Sequence, residues 1–176
     1  MRPIRNCEAY IDGASHGNPG PAGVGVVLME PSRPASEAVA NPSTRATPPP
    51  RGGLAQDAAP RALPVELHGT GRGVRQFSKY LGETTNNVAE YLALIYAMQE
   101  ALRYGYTALA VKTDSELLAR QLNGQYRVKN AQLRLFHDLA MHLAQGFRRF
   151  SIEHIPRDQN TLADRLAGRA VKQRFQ

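Results

Sequence analysis

Between Thr85 and Ser115 the sequence reads TNNVAEYLALIYAMQEALRYGYTALAVKTDS. Apolar residues recur at helical spacing at Val88, Tyr91, Ile95, Met98 and Leu102. This spacing predicts a helix with Thr85 or Asn86 as its N-cap and Gly105 at its end. The following run, Thr107–Thr113, is mostly apolar and too short for a helix, so we expect a buried strand there. A helix followed by a buried strand is typical of a sheet with parallel pairing.

The elements on either side of this segment differ in kind. Before it the patterns predict strands at Cys7–Asp12 and Gly23–Met29, and weaker ones at Leu63–His68 and Gly73–Tyr80. The glycines of the second strand suit a close approach of another backbone. After it they predict a helix at Glu116–Leu122, a helix capped by Asn130, a strand at Arg148–Ile155 and a helix at Thr161–Lys172 capped by Asn160. Short connections favour antiparallel pairing in the first half, and alternation favours parallel pairing in the second. We therefore predict an α/β fold with a mixed sheet covered by helices.

Composition limits the class of protein. The chain has 176 residues, which is enough for one domain with its own core, and a net charge of +7, which favours a polyanionic partner such as nucleic acid. Its single cysteine, Cys7, excludes an intramolecular disulfide and a cysteine zinc cage. No apolar run is long enough for a membrane span, and no signal peptide pattern follows Met1. We expect a cytoplasmic monomer that does not bind membranes.

One segment differs from the rest of the chain in composition. Residues 31–62 contain seven of the twelve prolines and no aromatic residue, and Val39 and Leu54 are their only large aliphatic side chains. Such a segment buries too little apolar surface to offset its chain entropy. We therefore expect a single domain over residues 1–176 that carries a flexible insert at 31–62.

Four carboxylates occupy the ends of predicted strands or the first turns of predicted helices: Asp12, Glu90, Asp114 and Asp164. In α/β sheets these places converge on one crevice. Four acids there would repel one another unless a divalent cation joined them, and two such cations form the clamp used in phosphodiester displacement. The alternatives are structural, because acids stabilise helix N-termini and Asp114 is also a possible cap of the next helix.

The motifs around these acids resemble those of type 1 ribonuclease H. The first is DGASHGNPGPAG at 12–23, the second TNNVAEYLAL at 85–94, the third TDS at 113–115, and the last IPRDQN at 155–160 followed by ADRLA at 163–167. They occur in the family's order and span most of the chain outside the insert. The resemblance implies a ribonuclease H-like fold with a five-stranded mixed sheet, three strands antiparallel and then two parallel, flanked by helices.

The resemblance also implies an activity, cleavage of the RNA strand of RNA–DNA hybrids to 5′-phosphate and 3′-hydroxyl ends. Asp12, Glu90, Asp114 and Asp164 match the family's catalytic, metal-binding carboxylates, for two Mg²⁺ ions or for Mn²⁺, which accepts the same ligands. Asn18, Asn86 and Asn87 match residues that contact the hybrid, and Ser15 is a weaker candidate for the same role. Double-stranded RNA is a further candidate substrate.

The sequence departs from the family in two places near the site. The loop before the last aspartate has no histidine, so Arg157 is the candidate that takes its catalytic part, whereas His154 is expected to pack within its strand. The basic handle with tryptophan is missing, and Arg127 and Lys129, near Arg134, are candidates for a reduced nucleic-acid contact.

Other functions stay open at this stage. A non-catalytic module that binds hybrids or double-stranded RNA fits the fold, but it would have no reason to place acids against phosphates. A DNA resolvase or exonuclease on the same fold is disfavoured by the asparagines, which suit reading of a 2′-hydroxyl. A structural basic protein would require four coincident motifs.

Overall fold

The computed structural model describes residues 4–31 and 73–173. Within these residues the strands are Asn6–Ser15 (β1), Gly20–Met29 (β2), Val74–Thr84 (β3), Ala108–Thr113 (β4) and Arg149–His154 (β5). The helices are Asn86–Arg103 (α1), Glu116–Leu122 (α2), Ala131–Ala144 (α3) and Thr161–Lys172 (α4), and Arg157–Gln159 forms a single 3-10 turn. The predicted strand at Leu63–His68 and the predicted insert after Pro31 lie outside the described residues.

The described strands form one mixed sheet in the order β3-β2-β1-β4-β5. β1 and β2 pair antiparallel, as do β2 and β3, whereas β4 is parallel to both β1 and β5. The predicted architecture of antiparallel strands followed by parallel ones is therefore confirmed. The register places Ile11 of β1 opposite Thr113, the last residue of β4, so the residues that follow these two lie at the same end of the sheet.

The main core lies between one face of this sheet and helices α1 and α3. Alternate residues of β1 and β2, among them Ile11 and Val26, pack with the buried face of α1, which includes Leu94 and Met98. Burial of each large apolar side chain contributes about 1.5–3 kcal/mol. The helical period read from the sequence of α1 thus marks the face that is buried, and the core fixes α1 against β1.

Helix α4 packs on the sheet at two glycines of β2. A Cβ atom on Gly25 would lie 2.1 Å from the carbonyl oxygen of Ala163, and one on Gly23 would lie 2.6 Å from the Cβ of Ala170. No side chain fits at these distances, so the glycines let the helix and the strand touch through their backbones. The close approach predicted from the glycines of β2 is confirmed, and it fixes the position of α4.

Most predicted helix caps are found. Thr85 Oγ1 accepts a hydrogen bond from the Val88 N–H at 3.3 Å, and Asn130 Oδ1 accepts one from Leu133 at 3.0 Å. Ser115, not Asp114, caps α2, because its Oγ accepts from the Leu118 N–H at 3.4 Å. The prediction for Asn160 holds in part: it stands at the N-cap position of α4, but its side chain makes no capping hydrogen bond.

Candidate active site

Two of the four acids are brought together by the parallel pairing of β1 and β4. Asp12 follows Ile11 in β1, and Asp114 follows Thr113 at the end of β4. Because Ile11 and Thr113 are register partners, the two aspartates emerge side by side at the same sheet edge. This is the convergence expected for parallel strands.

Glu90 reaches the same edge because α1 crosses β1 at Gly13. A Cβ atom on Gly13 would lie 2.3 Å from both the carbonyl carbon of Ala89 and the backbone nitrogen of Glu90, so any side chain there would force the helix away. The glycine therefore allows Glu90 to stand next to Asp12. Both acids are only 5% exposed.

The four acids line one cavity of about 510 Å³ at this edge. Its lining is polar and comes from β1, α1, the β4–α2 junction, the turn after β5 and α4. The lining residues are Asp12, Gly13, Ala14, Ser15, His16, Asn86, Glu90, Asp114, Ser115, Arg157, Asp164 and Gly168. The cavity thus joins the four sequence motifs in space.

Three of these acids lie close enough to share a cation. Asp12, Glu90 and Asp114 each offer one carboxylate oxygen, and these oxygens lie within 4.8 Å of one another. Among the described residues the buried Oε2 of Glu90 has no hydrogen-bond partner. Carboxylate oxygens are the ligands of hard divalent cations. A divalent cation would both neutralise the three acids and supply the missing partner of Glu90, so the donor set fits a metal site.

The acids perturb one another strongly. Burial, followed by the charges of Asp114 and Asp164, raises the pKa of Asp12 from 3.8 to about 7, against an opposing effect of Arg157. Burial is also the main cause that raises the pKa of Glu90 well above its ordinary value, while the backbone N–H of Gly13 lowers it. Without a cation the site therefore holds protons at pH values where ordinary carboxylates are ionised.

Asp164 stands apart from this group of three. Its Oδ1 accepts a hydrogen bond of 2.6 Å from Nη2 of Arg157, and its side chain is 39% exposed. The pair raises the pKa of Arg157, mainly through this hydrogen bond. Arg157 is 77% exposed and lies at the rim, where its charge faces the acids and the solvent. The predicted positions of both residues at the crevice agree with this geometry.

Asn160 is a buried link between motifs. Its Nδ2 donates to the carbonyl oxygen of Ile11 at 2.8 Å and to Oδ1 of Asp114 at 2.9 Å. The side chain is drawn away from the helix end by these distant partners, which explains why the predicted cap is absent. Asn160 is 1% exposed.

The predicted recognition residues lie beside the cavity. Asn18 Oδ1 accepts a hydrogen bond from the backbone N–H of Asn86 at 3.4 Å, which ties the β1–β2 turn to the start of α1. Asn86 and Asn87 are exposed. Ser15 Oγ is within hydrogen-bond distance of the carbonyl oxygens of Gly17 and Thr84, so its hydroxyl holds the turn.

Other predicted positions lie away from the cavity. Arg127 and Lys129 are exposed, and neither is among the described residues that line it. The prediction that His154 packs within its strand is wrong, because His154 is exposed and lines a separate surface cavity near Asn123. Strand β5 ends at this residue, so the alternation that buries Ile152 no longer applies there.

Two further residues that line the cavity, His16 and Ser115, had no predicted functional role. His16 belongs to the first motif, and its backbone N–H donates to the carbonyl of Pro21 at 2.8 Å. Its position between other site residues in this motif was the feature of the sequence that could have indicated a place in the cavity. Ser115 follows Asp114 directly and caps α2.

Fold and site together define an α/β protein that gathers carboxylates at the end of two parallel strands to hold a divalent cation. Residues 66–170 match the family model described as reverse transcriptase-like. Together with the relatives described next, this match shows that the chain belongs to the type 1 ribonuclease H family.

Individual relatives agree with this assignment. The chain is 34% identical over 164 residues to ribonuclease HI of Halobacterium salinarum, an alignment of 93% of this chain and 63% of the relative. It is also 34% identical over 160 residues to a bifunctional protein of Mycobacterium tuberculosis, over 91% of this chain and 34% of that protein. The chain thus spans about a third to two thirds of the length of these relatives.

A solved structure extends the similarity to a nucleic-acid complex. LC11-RNase H1 in complex with an RNA/DNA hybrid superposes with a TM-score of 0.71 at 30% identity, over 97% of this chain and 99% of that one.

In the described part of this chain, no helix is both long enough and apolar enough to cross a bilayer.

Proposed function

We propose that this chain is a metal-dependent endonuclease that hydrolyses the RNA strand of RNA–DNA hybrids and leaves 5′-phosphate and 3′-hydroxyl ends. The observation that carries the proposal is the group formed by Asp12, Glu90 and Asp114, whose ligand oxygens lie within 4.8 Å of one another. The buried Oε2 of Glu90, which has no hydrogen-bond partner among the described residues, adds to it. Similarity to LC11-RNase H1, which was solved with an RNA/DNA hybrid, supports the choice of substrate.

The proposed cofactor is Mg²⁺, with two ions held by Asp12, Glu90, Asp114 and Asp164. When bound, the cations supply Lewis-acid stabilisation of the charge that develops on the phosphate oxygens. The chain itself contributes the placement of the acids, since Gly13 brings α1 against β1 and the parallel register aligns Asp12 with Asp114. Mn²⁺ is also a hard cation that accepts carboxylate ligands, so it is expected to substitute.

Arg157 is proposed to act through charge at the mouth of the cavity. Its guanidinium cannot deprotonate at working pH, so it cannot serve as a general base. Its ion pair with Asp164 holds it beside the acids, and its 77% exposure leaves donors for a phosphate oxygen. A contact of this kind would hold the substrate phosphate; the alternative role for the same charge is to help expel the product.

The asparagines at the cavity edge are proposed to recognise the hybrid. An amide donates and accepts, so Asn86 and Asn87 can contact both a 2′-hydroxyl and a base edge in the shallow minor groove of an A-like duplex. The hydrogen bond of Asn18 to the backbone of Asn86 fixes the turn in which Asn18 lies. Ser15 holds the same turn, and Ser15 and the backbone around Gly17 are proposed as further contacts to a 2′-hydroxyl.

Arg127 and Lys129 are proposed to contact phosphates of the hybrid beyond the scissile bond. Both are exposed, as a phosphate contact requires. Such contacts make binding depend on salt without adding sequence preference.

The monomeric state and the cytoplasmic location remain predictions from the sequence.

The decisive experiment is cleavage of one labelled sequence as an RNA–DNA hybrid, as an RNA duplex and as a DNA duplex, with Mg²⁺ and with Mn²⁺. We expect Mg²⁺-dependent cuts in the RNA strand of the hybrid, ends that a ligase test identifies as 5′-phosphate and 3′-hydroxyl, and an intact DNA duplex. Cleavage of the RNA duplex would extend the substrate class. Tight binding of the hybrid without any cleavage would contradict the proposal and support a binding module.

A further inference from the structure

The side chain of Asn160 has an arrangement that packing and capping do not explain. Both of its recorded hydrogen bonds use Nδ2, toward the carbonyl oxygen of Ile11 and toward Oδ1 of Asp114. Because both partners are acceptors, the orientation of the amide is unambiguous. Among the described residues its Oδ1 is buried and has no hydrogen-bond partner.

This arrangement carries a cost in stability. A buried acceptor without a partner lowers the free energy of unfolding, and a side chain chosen only to fill this place would avoid it. The gain is made at Asp114, whose carboxylate is fixed in direction by the donated hydrogen bond. The same amide anchors to Ile11, the residue before Asp12. The side chain of Asn160 therefore sets the position of Asp114 relative to β1, the strand that carries Asp12.

We propose that Asn160 is a positioning residue for the metal site, which holds the Asp114 carboxylate against β1 in the orientation that binds the cation. This inference rests on the proposed function, because it concerns the same site. Partners that hydrogen-bond to ligating carboxylates orient them, and their loss lowers metal affinity about 10- to 100-fold in characterised sites.

The test compares Asn160→Leu with two controls in the full chain. Leucine keeps the size and branching of asparagine but removes both donors. Asn123→Leu removes a similar contact, since Asn123 Nδ2 donates to the carbonyl oxygen of Ile152 at 3.1 Å on β5. Tyr91→Phe removes a buried hydrogen bond of 2.8 Å to Gln121 and controls for loss of stability.

The readouts are Mg²⁺ affinity by calorimetry, and kcat and KM on the hybrid. We expect Asn160→Leu to weaken Mg²⁺ binding about tenfold or more, to lower kcat at a fixed Mg²⁺ concentration and to leave KM for the hybrid nearly unchanged. Both control variants should bind Mg²⁺ like the unsubstituted chain. Unchanged Mg²⁺ affinity and kcat in Asn160→Leu, or an equal loss in the controls, would overturn the proposal.

A measurement on the unsubstituted chain covers the case in which Asn160→Leu does not fold. The side-chain amide protons of Asn160 should shift in nitrogen–proton NMR spectra when Mg²⁺ is added, and should shift less in Asp114→Asn. An amide signal that does not respond to Mg²⁺ would overturn the inference. If the unsubstituted chain binds Mg²⁺ but cleaves no hybrid, the proposed function fails while the positioning of Asp114 is still decided by this measurement.

Discussion

The charged side chains at the two ends of strand β1 are arranged differently: opposite charges pair at one end, and like charges are grouped at the other. At its amino end Arg5 forms an ion pair of 3.3 Å with Glu30, and the Tyr106 hydroxyl donates to the same carboxylate at 2.9 Å. The Arg5 guanidinium also lies 4.9 Å from the centre of the Tyr106 ring. At its carboxyl end Asp12 and Glu90 are buried beside a third acid, and among the described residues the nearby Arg157 forms its ion pair with Asp164 instead.

The charges at the amino end of β1 stabilise the fold, whereas those at its carboxyl end lower its stability. Opposite charges near the surface satisfy one another and add modestly to folding. Like charges in a buried site reduce the free energy of unfolding until a cation joins them. A carboxylate exchanged for an amide should therefore have different consequences at the two ends.

The largest effect is expected for Asp12→Asn, which preserves shape and removes a charge from the metal group. We expect kcat on the hybrid to fall about 1000-fold or more, since each tenfold loss corresponds to about 1.4 kcal/mol of transition-state stabilisation. The matched variant Glu30→Gln, at the other end of β1, should keep kcat within about twofold. Near-normal turnover of Asp12→Asn at saturating Mg²⁺ would show that the acids are not the catalytic centre.

A smaller loss of turnover is expected for a change at the rim of the cavity that holds the acids. Arg157→Ala removes one charge-assisted contact to phosphate and should lower kcat about 10- to 100-fold. His154→Ala is the comparison, because His154 is exposed and lies outside the cavity that holds the acids, and it should change neither turnover nor melting temperature measurably. A silent Arg157→Ala together with an inactive His154→Ala would reverse the assignment.

Metal-free stability should depend on pH in a direction set by Asp12. In the unfolded chain this acid loses its proton near pH 3.8, but in the folded protein only near pH 7. Folding therefore retains a proton between these values, and the melting temperature should fall as pH rises through this window and then level off. Millimolar Mg²⁺ should raise the melting temperature, and more at about pH 8 than at about pH 5, because it displaces these protons.

Calorimetric melts with and without Mg²⁺ check this expectation. Asp12→Asn removes the titrating group, so its metal-free protein should melt higher than the unsubstituted one near pH 8 and show a weaker pH dependence. Melting temperatures that ignore both Mg²⁺ and the substitution would mean that the acids do not repel one another.

The smallest effect is expected from shortening the chain at the end away from the acids. The backbone N–H of Glu30 donates to the carbonyl of Gly73 at 2.9 Å, so the chain on either side of residues 31–72 is already joined. Replacement of residues 31–62 by a short glycine-containing turn should leave kcat within about threefold, because loop length costs little where the flanking chain is already joined. Limited proteolysis should cut this segment first. A large loss of turnover with a normal melting temperature would assign it a part in substrate binding.

Local patterns predicted the elements well because each depends on neighbours in sequence. The apolar period of α1 and the run of β4 are read directly from the residues that become buried. The glycines of β2 also indicated a close backbone approach, although the sequence could not say that α4 is the partner.

The two differences from the predicted side-chain roles have separate physical causes. Asn160 looks like a helix cap, but its amide is held by Asp114, 46 positions away in sequence. His154 continues the sequence alternation of Phe150 and Ile152, but it is the last residue of β5, so the burial that alternation predicts does not extend to it. The ion pair of Asp164 with Arg157 is likewise a side-chain contact that the sequence pattern did not indicate.

The hydrogen bond between Glu30 and Gly73 has a consequence for engineering. Because these two backbone groups lie 2.9 Å apart, this position is a suitable insertion site for a foreign domain whose termini lie close together. Cargo fused there would enter and leave at the end of the sheet remote from the cavity, so a reporter or an affinity module could be carried without blocking the acids.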